Sequence, residues 1–131
     1  MLKKILLAVN GTLMRGLKLN GNMLAAGATF VREAKTDAYY RCWSVKDDHP
    51  AMIRTKEKAS EIDVEIWEVS PEGLAGILAK EPAGLCIGKV MLNDGSEVLG
   101  VLGKPWAVED EKDITAYGGW RNYMASGEYC G

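Results

Sequence analysis

The chain has 131 residues, enough for one ordinary domain over residues 1–131, and 47% hydrophobic with 26% charged residues is the balance of a soluble globular protein. Sixteen Lys and Arg against 18 Asp and Glu leave a formal charge of −2, which disfavours a nucleic-acid partner. One His and three Cys are too few for an ordinary zinc site, so neither a metal nor a cofactor is expected.

Cys42, Cys86 and Cys130 are widely spaced and form no C-x-x-C pair. That usage fits a reducing cytoplasm, with Cys42 as core filler and Cys130 close to the chain end. Ile5 to Val9 is an apolar run of five residues behind two lysines. It is too short for the apolar part of a signal peptide and reads as a buried strand. No stretch is long enough to span a membrane as a helix.

In chain order, a strand over 3–9 is followed by a loop over 10–21 that holds Gly11, Gly16 and Gly21. Such a loop needs positive φ or passes close to another group. A short helix over 20–26 and strands over 28–35 and 39–45 come next. The Asp47-Asp48-His49-Pro50 turn leads to a short strand over 51–55. Residues 62–69 alternate apolar and acidic, which predicts a half-buried strand with Asp63, Glu65 and Trp67 on one face. A solvated face is the expectation for both Glu65 and Glu68. Ser70-Pro71-Glu72 is a helix start, with Ser70 as N-cap and Pro71 at the first helical position. That helix ends before Pro82. Strands over 86–92 and 97–108 flank the Asn93-Asp94-Gly95-Ser96 hairpin turn, and a short helix or turn closes the chain near 118–124. The fold class is α/β (α+β): a small mixed, partly closed β-barrel with short helices outside.

Three stretches resemble the gamma-glutamylcyclotransferase-like proteins: Val9-Asn10-Gly11-Thr12-Leu13-Met14-Arg15-Gly16, the run from Thr36 through Tyr40 and Trp43 to Ile53, and the strand Ile62–Val69. A closer resemblance is to the C-terminal domain of allophanate hydrolases. Gly16-Leu17-Lys18-Leu19-Asn20, Val64–Glu68, Ile87-Gly88-Lys89-Val90 and above all Asp113–Tyr123 carry it, over roughly residues 5–126.

The first resemblance implies a small α/β domain with a ligand cavity. Its glycine loop holds a substrate carboxylate through backbone N–H groups, and a carboxylate base assists release of 5-oxoproline. The second implies decarboxylation of the N-carboxycarbamate that an amidase domain produces. The implied substrate is a small carboxylated amide or carbamate, and the implied partner is a separate amidase; a homodimer stays open. Asn10, Gly11, Thr12 and Leu13 are the ligand-loop candidates. Tyr40, Arg54, Tyr117 and Arg121 are further anion-binding candidates, Arg because its planar fork suits a carboxylate. His49, the single imidazole, and Glu81, beside Pro82 at the helix end, are the acid–base candidates. The resemblance also implies a His near Leu13 and another near Gly21, and the chain has neither. A non-catalytic module that senses a small acid or docks on an amidase is the third reading.

Overall fold

The structure is a computed structural model that describes residues 4–128. Eight strands form two sheets: β1 Ile5–Val9, β2 Thr29–Lys35, β3 Tyr40–Val45, β4 His49–Arg54, β5 Asp63–Val69, β6 Leu85–Met91, β7 Glu97–Gly103 and β8 Lys112–Asp113. The larger sheet has the order β2-β5-β1-β7-β6 and the smaller β4-β3-β8. Among the described residues only β1 and β7 pair in parallel; the other strand pairs are antiparallel. The sheets do not close into a barrel. They meet where β4 packs on β7, so tightly that a Cβ on Gly103 would lie 2.7 Å from that of Ala51.

Three short helices decorate the sheets: α1 Asn20–Ala25, α2 Pro71–Ala79 and α3 Trp120–Ser126. The sequence signals for α2 hold in detail. The Ser70 hydroxyl accepts a bond from the Gly73 N–H at 3.0 Å, and Pro71 stands at the first helical position. Among the described residues no helix is long and apolar enough to cross a membrane.

Three expected elements differ. The strand expected over 97–108 stops at Gly103, because Pro105 opens a short 3-10 turn, Pro105–Val108. His49-Pro50 lies inside β4 rather than in the preceding turn. Proline is tolerated there because β4 is the edge of its sheet. The strand at 63–69 is not half-buried. As β5 it sits between β1 and β2, so Val64 and Ile66 are buried on one face and Glu65 and Trp67 on the other.

Cys42 is fully buried in the core, where burial pushes its thiol up to about 12. It is filler, not a nucleophile. Cys130 lies outside the described residues.

Candidate functional site

The chain leaves the end of β1 at Val9 and runs through the segment 10–19 before α1 begins. Asn10 is buried and its side-chain amide donates to the Val101 carbonyl at 2.9 Å, which fixes the segment to β7. Gly11 is required by packing rather than by conformation. Its φ is outside the left-handed region, but a Cβ there would lie 2.5 Å from Pro50 Cγ and Cδ. Gly16 has φ of +75° and supplies the turn instead.

The carbonyls of this segment are satisfied. Gly11 O accepts from the Met14 N–H, Thr12 O from the Leu19 N–H, and Leu13 O from the Asn20 side chain. The N–H groups of Gly11, Thr12 and Leu13 have no acceptor among the described residues. Three successive N–H groups in one bend are thus left available to an anion.

Those residues line a half-open cavity of about 230 Å³. Its walls are apolar, from Val9, Leu19, Pro50, Pro82, Leu85 and Val101, and its polar groups are Asn10, Thr12, Lys18, Asp48, His49 and Glu81. Glu81 sits in the turn just after α2, its backbone N–H bonded to Leu78 O. Burial pushes its carboxyl above the usual range, with the neighbouring His49 pulling the other way. His49 Nδ1 lies 3.0 Å from the Pro50 carbonyl oxygen. That contact assigns the Nδ1 proton and leaves Nε2 as the ring's unengaged nitrogen. Lys18 and Asp48 form an ion pair at the rim, and the hydrogen bond from Lys18 holds the Asp48 carboxyl below its usual range.

The fold therefore brings Asn10, Gly11, Thr12, Leu13, His49 and Glu81 to one cavity. Lys18 and Asp48 were not expected there. The quoted Gly16–Asn20 motif covers Lys18, yet only the bend of the segment turns that side chain to the cavity. Of the four other anion-binding candidates, three are occupied elsewhere. Tyr40 is wholly buried, and its hydroxyl accepts the Met91 N–H at 2.9 Å. Arg54 is paired with Asp37 at 2.8 Å on the surface. The Tyr117 hydroxyl donates to Glu128 at 2.6 Å. None of them lines the cavity.

The fourth, Arg121, does hold a carboxylate, but an internal one. Its Nη2 donates to Glu65 Oε2 at 3.2 Å and to the Arg15 carbonyl at 3.0 Å. Glu65 also accepts the Arg15 N–H at 2.9 Å, Arg15 Nε at 3.1 Å and the Trp67 indole N–H at 3.1 Å. The solvated face expected for Glu65 is thus a buried hub, its side chain 3% exposed. Glu33 stands opposite Glu65 across the β2–β5 ladder, and Arg15 bridges the two like charges while stacking on Phe30. Among the described residues no His, Cys, Asp or Glu group gathers as a metal site.

The class is that of the gamma-glutamylcyclotransferase-like folds. A gamma-glutamyl cyclotransferase structure matches with a TM-score of 0.53 at 13% identity over 85% of this chain and 70% of that one, a likeness of fold alone. Within that class the allophanate hydrolase C-terminal domain model matches residues 5–125, and the chain belongs to that family. A solved uropathogenic E. coli-specific protein is similar at 56% identity and a TM-score of 0.92, over 94% of this chain and 97% of that one. The Kluyveromyces lactis allophanate hydrolase structure is similar at 25% identity and a TM-score of 0.91, over 96% of this chain and 22% of that one. The urea amidolyase of Lachancea kluyveri is 28% identical over 90% of this chain, which spans only 7% of that relative's length.

Proposed function

We propose that the cavity binds a small carboxylated carbamate or amide and promotes loss of CO₂ from it, as the family's place in allophanate hydrolase suggests. The observation that carries this reading is the row of unpaired N–H groups at Gly11, Thr12 and Leu13, set in the same cavity as His49 and Glu81. The amides hold one carboxylate of N-carboxycarbamate and fix its orientation. The C–N bond to the other carboxyl then breaks. Its electron pair stays on nitrogen, a proton reaches that nitrogen, and CO₂ and carbamate leave. The proton comes from Glu81, whose burial favours the acid form, or from Nε2 of His49 in its doubly protonated form. These two take the role that the expected His at position 13 would otherwise fill.

The ammonia-releasing step belongs to a separate amidase, and the setting is the cytoplasm. Incubation of the chain with an allophanate-specific amidase, scored by CO₂ release, tests the reading. Faster release than with the amidase alone is expected, and Glu81→Gln with His49→Gln lowers it by about a hundredfold or more. No acceleration by the unsubstituted chain counts against decarboxylation.

The position of Glu81 in the amide-lined cavity also favours a second reading, a cyclotransferase with Glu81 as base. Release of 5-oxoproline from a γ-glutamyl dipeptide, abolished by Glu81→Gln, would establish it in place of the first.

A further inference from the structure

Lys18 is the one lysine or arginine among the cavity-lining residues described. It projects from the same segment that offers the three amides, and its ammonium reaches across the rim to Asp48 in the turn before β4. Both partners are largely exposed, Lys18 at 58% and Asp48 at 62%. An exposed pair of this kind is held weakly, because water competes for both charges. A carboxylate entering the cavity meets less water and offers Lys18 a charge-assisted bond in its place. The amides and Lys18 then supply two separate anion contacts at one cavity.

We propose that Lys18 selects the ligand: it leaves Asp48 to bind a second carboxylate, so the site prefers short dianions with two carboxylates on one central atom over monoacids. This rests on the carboxylate reading of the cavity and names its substrate class. A single carboxylate satisfies the amides and leaves the Lys18–Asp48 pair intact. A second one, one atom away, exchanges that pair for a pair inside the cavity.

The test uses malonate, which replaces the N–H of N-carboxycarbamate by CH₂, its monoamide malonamate, and acetate. Binding to the full chain is followed by titration calorimetry and by backbone amide shifts. Malonate is expected to bind about tenfold or more tighter than malonamate. Lys18→Met brings the two within about twofold by weakening malonate alone, and Lys18→Gln behaves the same way. Asp48→Asn keeps or widens the preference, because it frees Lys18. Equal affinity for malonate and malonamate in the unsubstituted chain, or a preference that survives Lys18→Met, overturns the role of Lys18 while the carboxylate site stands. If none of the three acids binds or shifts the amides of residues 11–13, the carboxylate reading itself falls, and the selector role with it.

Discussion

On one side of the segment between β1 and α1, Glu65 collects four hydrogen bonds, from Arg15 twice, Trp67 and Arg121. On the other side, three backbone N–H groups at Gly11, Thr12 and Leu13 meet no acceptor among the described residues. Both places present hydrogen-bond donors, and they differ in whether the chain supplies the acceptor. At Glu65 the chain brings its own, so the donors are spent and the segment is pinned to β5 and α3. At the cavity the donors are held in place by that pinning yet stay unpaired. Satisfaction of one face is what lets the other remain open, because an unpaired bend with no anchor would fold back on itself to find acceptors.

Removing the internal carboxylate is the most direct way to break this contrast. Glu65→Ala leaves the Trp67 N–H and the Arg15 N–H without their acceptor and lets two arginines repel across an empty site. The expected loss is about 3–5 kcal/mol in urea unfolding. Glu65→Gln keeps an acceptor and costs less, about 1–3 kcal/mol. If Glu65→Ala unfolds at the same urea concentration as the unsubstituted chain, the hub is not what holds the segment.

Gly11→Ala acts on the open face. Its new Cβ meets the Pro50 ring, and overpacking of this kind costs about 1–3 kcal/mol. Pro50→Ala should relieve most of that cost, so the double variant recovers stability that the single one loses. A cycle with no coupling would show that Gly11 answers to something other than Pro50.

The same contrast explains which parts were legible in the sequence. The strand at 63–69, the capped helix at 71–79 and the hairpin at 93–96 carry local signals: alternation, a Ser-Pro-Glu start, an Asp-Gly turn. Those signals act over a few residues and survived folding. The roles of Glu65, Tyr40 and Arg121 were not legible, because each depends on a partner far along the chain. Alternation says which face a side chain takes and not whether that face is covered. Tyr40 meets the Met91 backbone 51 residues away, and Arg121 meets Glu65 56 residues away. The motif around Gly11 marks a segment that lines the cavity, whereas nothing local distinguishes Lys18 at the rim from a solvated lysine.

The smallest expected effect concerns Glu81, and it separates a cavity carboxyl from a surface one. Unlike Glu65, Glu81 has no hydrogen-bond donor among the described residues, and its burial raises the carboxyl above the ordinary value of 4.5. The folded state thus holds this proton more tightly than the unfolded chain does. The stability it contributes is fully present below about pH 4.5, the unfolded value, and is lost as pH rises through the higher folded value. Glu81→Gln removes the ionisation without removing the shape. The variant and the unsubstituted chain should have similar urea midpoints at pH 4, and the variant should be the more stable of the two at pH 7, relative to that baseline. Lys18, Asp48 and His49 share the cavity with Glu81, so the comparison is between the two proteins at each pH and not between pH values for one. A midpoint difference that stays constant from pH 4 to pH 7 would mean Glu81 is solvated at the helix end, and the open face would then lack its half-buried acid.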